Sequence, residues 1–147
     1  MYTKLESIPT IINELSKSEW DRLFKLIPQI ERTENFATKG GFAKDSENLK
    51  NFKIMPSVEN QIVWEVEKVL DELNLLIIFD WADWGEGKRI AEKQDYNNRD
   101  TVTLLKLISA FIRNNRFCDG VLAERFEDRS IEKILKQIKK NVENDYL

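Results

Sequence analysis

The sequence predicts an all-α fold: a mainly helical bundle of about six helices, with room for one small β-hairpin near residues 35–55. Three observations carry this expectation. Apolar residues recur at intervals of three and four, as in Trp20, Leu23, Phe24, Ile27 and Ile30, and again in Ile131, Ile134, Leu135, Ile138 and Val142. That spacing gathers side chains on one face of a helix. The run Val102, Leu104, Leu105, Leu107, Ile108, Phe111 and Ile112 is apolar on nearly all sides, the mark of a helix wrapped by others. The interruptions between periodic stretches are mostly short, which suits a bundle.

Taken in order, Leu5, Ile8, Ile11, Ile12 and Leu15 predict a short helix over 8–15, with Pro9 tolerated only in a first turn. Ser18 ahead of Glu19 and Asp21 reads as an N-cap followed by acids in the first turn. Pro28 falls inside the periodic run and predicts a kink or an end there. From Thr33 to Pro56 the periodicity is lost, with Gly40-Gly41 at the centre. Short extended pieces at 35–42 and 51–55 predict a hairpin closed by a long loop.

Ser57 is the expected cap of the next helix, where Val58, Ile62, Val66, Val69, Leu70 and Leu73 line one face as far as about Leu76. The stretch from Leu75 to Phe79 is wholly apolar and predicts an extended exit segment, or a last turn, entering the core. A short helix is expected over 84–91 and a polar loop over 94–99. Asp100 or Asn98 caps the central helix, Gly120 marks a boundary before a short helix holding Val121, Leu122 and Phe126, and Ser130 caps the last one.

The chain has 147 residues, 41% of them hydrophobic, including 8 Phe, 4 Trp and 3 Tyr. That predicts one domain over 1–147 with a sizeable core and excludes a wholly disordered chain. No apolar run approaches membrane length, and MYTKLESIPT lacks the layout of a secretory signal. The expectation is a soluble, cytoplasmic protein without a membrane partner. With no histidine and the single Cys118, neither a structural zinc site nor Cys-His or Ser-His-Asp chemistry can be assembled. No metal and no cofactor are expected.

Net charge is −3, and residues 57–95 hold only four basic groups against ten acidic ones. This balance disfavours a dedicated nucleic-acid-coating protein. Lys133, Lys136, Lys139 and Lys140 give the last helix a basic side, read as a solvated face, with non-specific nucleic-acid contact as the weaker alternative.

Candidate binding residues cluster around the ends of the central helix. Arg113 and Arg116 share a helical face, with Asp119 a turn further on. They either tie the helix end to Asp80, Asp83 or Asp119, or form a clamp for a phosphate or carboxylate. Trp81 and Trp84 either close the end of the core or anchor an interface. Asp80 reads as a cap or salt-bridge partner, or as a general base if desolvated. Cys118 reads as an inert, half-buried thiol. The favoured function is a non-enzymatic module that engages another protein or itself through Asp80, Trp81, Trp84, Arg113, Arg116 and Asp119. The alternative is an enzyme or small-ligand binder that holds an anionic substrate on the two arginines beside an acidic partner.

Phe79-Asp80-Trp81-x-x-Trp84, Thr103-Leu104-Leu105-Lys106-Leu107, Arg113-x-x-Arg116-Phe117-Cys118-Asp119-Gly120-x-Leu122 and Ile131-x-x-Ile134-Leu135 together resemble a bacterial family catalogued as domain of unknown function six-five-zero-eight. Met55-Pro56 ahead of a long helix is similar to the same pattern, so the resemblance spans roughly residues 55–138. The chain departs from the pattern at Asn115, where an acidic residue is usual, and over 128–130, where a glycine is usual. The resemblance implies a small, soluble bacterial protein and brings no activity with it.

Overall fold

The structure, a computed structural model, describes residues 2–38, 41–42, 54–55 and 58–145, with backbone only at 37–38, 41–42, 54–55, 58–59 and 145. The described residues form eight α-helices: α1 (Ile8–Glu14), α2 (Lys17–Phe24), α3 (Ile27–Arg32), α4 (Gln61–Glu72), α5 (Gly85–Lys93), α6 (Thr101–Asn115), α7 (Val121–Glu127) and α8 (Ser130–Asp145). Six two-residue strands accompany them: β1 (Thr3–Lys4), β2 (Ala37–Thr38), β3 (Gly41–Phe42), β4 (Ile54–Met55), β5 (Val58–Glu59) and β6 (Ile77–Ile78). The fold is mainly helical, as the periodicity predicts.

The expected hairpin is present. Gly41 pairs with Met55 and Phe42 with Ile54, antiparallel, and β2 with β5 extends the same pairing outward. The connecting residues 43–53, with Gly40 and the expected cap Ser57, lie outside the described residues. A pair with no periodic signature is β1 with β6, parallel, in the register Thr3 to Ile77 and Lys4 to Ile78.

The break expected at Pro28 is present, whereas several expected boundaries move, each for a local reason. Pro28 divides the run at Trp20 into two helices, and it stands in the first turn of α3, where its missing N–H costs nothing. Ser16, not Ser18, caps α2: its hydroxyl accepts the Glu19 N–H at 3.2 Å while the Glu19 carboxylate accepts the Ser16 N–H at 3.0 Å. Asn60 caps α4 by accepting the Ile62 N–H at 3.1 Å, so Val58 belongs to a strand. Asn74 ends that helix in the left-handed region (φ 59°), and the Leu75 N–H returns to the Leu70 carbonyl at 2.9 Å. Leu75, Leu76 and Ile77 then run extended into the core.

Ser130 is the first residue of α8 rather than its cap; the Asp128 carboxylate takes its N–H at 2.8 Å. Arg129, just before it, has φ 70°, a conformation natural to glycine. Arg129 is held by donating to the carbonyls of Ile30 at 2.9 Å and Thr33 at 3.0 Å, with Glu132 at 3.3 Å.

The core is one cluster drawn from α1–α8, β6 and Phe36. Helix α6 runs through it, burying Leu104, Leu105, Leu107, Ile108, Phe111 and Ile112, and packs on α7, α8 and β6. At about 1.5–3 kcal/mol for each large apolar side chain removed from water, this one helix is a major source of stability. Its buried Ser109 hydroxyl accepts the Ile77 N–H at 2.9 Å, which fixes β6 against it. Among the described residues no helix is long and apolar enough to cross a membrane.

Candidate functional site

Where β6 leaves the core, the chain turns through Phe79–Trp84 to start α5. The Trp81 N–H donates to the Phe79 carbonyl at 2.9 Å, and the Lys88 ammonium reaches back to the Ala82 carbonyl at 2.8 Å, so the turn is pinned from both sides. Trp84 is half-buried and packs against the core. Its ring meets Phe79 edge-on, with centroids 5.5 Å apart and planes at 81°, a favourable arrangement of aromatic quadrupoles. The Lys106 ammonium lies 4.2 Å from the centroid of Trp84 and 4.9 Å from that of Phe79. Gly87 makes room for Trp84, because a Cβ there would stand 2.2 Å from the indole.

Trp81, also half-buried, tilts against Phe117, whose ring is 75% exposed, with centroids 6.1 Å apart. Both tryptophans wall a cleft of about 160 Å³ between α5, α6 and α7, floored by Ala91, Leu107, Phe111 and Val121. Arg125 closes its lower end, stacked 4.8 Å from the Phe111 centroid and bonded to Asp128 at 3.3 Å.

The arginines meet an aromatic ring that the sequence did not point to. Arg113 sits in the last turn of α6, and Arg116 follows as its cap. Both guanidinium groups lie over the ring of Tyr2, at 5.0 and 5.3 Å from its centroid, a cation–π arrangement. Among the described residues neither enters a salt bridge with Asp80 or Asp83, so a tie to those two is not what holds the helix end. That role falls to Asn115, whose side-chain oxygen accepts the N–H groups of Gly120 and Leu122, each at 3.1 Å. Gly120 takes φ 91° in the turn.

Tyr2 carries a further signal. Its hydroxyl is buried and has no hydrogen-bond partner among the described residues. Burial pushes its pKa up, against Arg116 and Arg113, which lower it, and with Glu67 and Asp71, which raise it. Tyr2 and Arg116 line a second depression, of about 490 Å³, against α4.

Of the six residues singled out in the sequence, Trp81 and Trp84 converge on the cleft, and Arg113 and Arg116 converge on Tyr2. Asp80 and Asp119 are exposed and line neither depression. The two groups meet at one corner, where Arg116 is followed by Phe117 and Phe117 touches Trp81. Cys118 is exposed, not half-buried. Sequence reasoning missed Tyr2, Lys106, Gly87 and Phe117. Lys106 and Phe117 stand inside the quoted motifs with no role assigned to them, and Gly87 left a trace as a glycine inside a helical pattern. Along α8, Lys133 donates to Gln94 at 2.7 Å, Lys136 pairs with Glu132 at 3.0 Å, and Lys139 faces Glu143 at 3.9 Å. Among the described residues no three His, Cys, Asp or Glu side chains gather as metal donors would.

A family model described as a family of unknown function, DUF6508, matches residues 15–144. The chain belongs to that family. The match is wider than the span of 55–138 read from the motifs, and in this DUF6508 member it takes in α2 and α3, which pack on α4 and α8. No curated protein and no solved structure matches the DUF6508 chain.

Proposed function

We propose that this DUF6508 protein is a non-enzymatic interaction module that seats an apolar side chain of another protein between Trp81 and Trp84, with Phe117 and the Arg113 and Arg116 corner as the adjoining contact surface. The observation that carries the reading is Phe117, 75% exposed and tilted against Trp81, which itself walls an apolar cleft. A large ring kept in water beside a concave apolar site is the composition of an interface centre. The cleft, at about 160 Å³, matches the size of cavity that accepts one benzene ring, so a single aromatic or branched aliphatic anchor fills it. Its lining cations are already committed, Lys88 to the Ala82 carbonyl and Arg125 to Asp128. Recognition therefore rests on shape and apolarity more than on charge.

The test is selection of a displayed random-peptide library against the whole chain, counter-selected on Phe117→Ala. Phe117 is too exposed for its removal to threaten the core. Enriched peptides sharing one apolar anchor, weakened about tenfold or more by Phe117→Ala and shifting the amides of Ala110 and Val121, would support the reading. Peptides that bind both proteins equally, or no enrichment, overturn it. A concentration-dependent dimer abolished by Phe117→Ala would replace the foreign partner with a second copy.

A further inference from the structure

The tryptophan cleft is mostly apolar, and four polar side chains border it: Lys88, Glu92, Asn114 and Arg125. Lys88 is engaged with the Ala82 carbonyl at 2.8 Å, and Arg125 with Asp128 at 3.3 Å and the Ala91 carbonyl at 3.5 Å. Glu92 is exposed and follows Lys88 by one turn of α5. Asn114 differs from all three. It ends the stripe Leu107, Ala110, Phe111 and Asn114, positions i, i+3, i+4 and i+7 of the α6 face that lines the cleft. Its backbone carbonyl accepts the N–H groups of Phe117 at 3.0 Å and Cys118 at 2.9 Å. Its half-buried side-chain amide makes no hydrogen bond among the described residues. Pockets that recognise a ligand pair apolar walls with a few polar groups of this kind.

We propose that the cleft takes a phenol ring, its hydroxyl donating to the Asn114 side-chain oxygen. The partner's anchor is then a tyrosine, an assignment that rests on the interaction reading above, whereas the selectivity for phenol does not. Size and walls agree with it. The volume of about 160 Å³ is close to the roughly 150 Å³ of a cavity that accepts benzene, and Trp81, Trp84 and Phe111 offer aromatic surfaces against which a ring packs. A cationic guest is disfavoured. The Lys106 ammonium already lies 4.2 Å from the Trp84 centroid and the Arg125 guanidinium 4.8 Å from that of Phe111, so two of the rings have a cation in place. An anionic guest would meet Glu92 at the border and no unengaged cation in the lining. A plain hydrocarbon ring would strip water from the Asn114 amide and return nothing. A phenol hydroxyl, donor and acceptor in one, replaces that water.

The experiment is an NMR titration of the whole chain with p-cresol, the tyrosine side chain alone, and with toluene, the phenylalanine side chain alone, followed at the amides of Ala110 and Val121. In a wholly apolar cleft toluene binds more tightly, because a hydroxyl taken from water without a partner is penalised. The expected result is the opposite order, p-cresol tighter than toluene by at least about fivefold, the net contribution of one hydrogen bond. Asn114→Leu, which leaves the backbone carbonyl bonds in place, should keep the native spectrum and restore the apolar order. Glu92→Gln should leave the preference for p-cresol unchanged. Toluene binding the parent as tightly as p-cresol overturns the proposal, as does the lack of a saturable shift with either. A preference that survives Asn114→Leu, or that is lost in Glu92→Gln, overturns it too. The two readings fail separately. Selected peptides anchored by phenylalanine or an aliphatic residue would uphold the interaction module and sink the phenol assignment. Selectivity for p-cresol without any captured peptide would uphold a phenol site filled by a free molecule and sink the protein partner.

Discussion

Gly87 and Arg129 each set the local geometry around a single side chain, one by having none and the other by holding an unfavourable backbone. Alanine normally improves a helix position over glycine by about 1 kcal/mol. At Gly87 a Cβ would lie 2.2 Å from Cε3 of Trp84, with two further ring atoms at 2.6 Å, and a rigid indole cannot bend aside. Overpacking of this kind costs about 1–3 kcal/mol, so Gly87→Ala is expected to lower the denaturation midpoint and to shift tryptophan emission as Trp84 leaves its seat. An unchanged midpoint would mean that the ring has another place to go. Arg129 poses the opposite question. Glycine there would relieve roughly 1 kcal/mol or more of backbone strain, but it would strip the Ile30 and Thr33 carbonyls of a charged donor, a loss of about 1.5–3 kcal/mol per bond. Arg129→Gly should therefore destabilise the chain, measured by urea unfolding.

At the scale of elements, the start of α6 depends on Asp100. Its carboxylate accepts the Thr103 N–H at 3.0 Å and the Thr103 hydroxyl at 2.6 Å. Burial acts to raise its pKa, yet these bonds, with Lys106 nearby, hold it below the ordinary 3.8. The sign follows from linkage: a carboxyl whose folded pKa is depressed stabilises the fold above its unfolded pKa, and that contribution is lost as pH falls below 3.8 toward the folded value. Asp100→Ala should cost about 0.5–2 kcal/mol at neutral pH, while Asp100→Asn should keep much of the cap and flatten the acid limb of stability against pH. Equal acid limbs in parent and Asn variant would show that other carboxyls govern it. Because α6 carries the core, the loss should appear as global unfolding and not as fraying of one end.

At the scale of the molecule, two tyrosines connect distant parts of the chain. Tyr96 is 1% exposed and donates its hydroxyl to Ser130 at 2.7 Å, joining the loop before α6 to the start of α8. Burial raises its pKa above 10.0, and burial likewise raises that of Tyr2. For such groups the stabilisation is complete below the unfolded pKa and is lost as pH rises through 10 toward the folded value. Stability should fall on the alkaline side as both phenols are forced to ionise. In Tyr96→Phe the alkaline decline should be shallower, though the neutral-pH stability is lower by about 1 kcal/mol for the lost bond. A decline just as steep in the Phe variant would assign the alkaline transition to other groups.

The helices of this chain were legible because a buried face imposes a 3.6-residue period that shows along the sequence, most plainly in α6 and α8. The hairpin was legible as a break in that period, and the tryptophans because large aromatics after an apolar exit segment have few places to go. Other features depended on residues far apart in sequence. Nothing local in Tyr2 foretells that β1 pairs with β6, more than 70 positions on, and carries its ring beneath Arg113 and Arg116. The arginines' partner, the seat that Gly87 makes for Trp84 and the split of one expected site into two depressions share that origin. Periodicity reports which face of an element is covered, whereas the identity of what covers it is settled only when elements pack against each other.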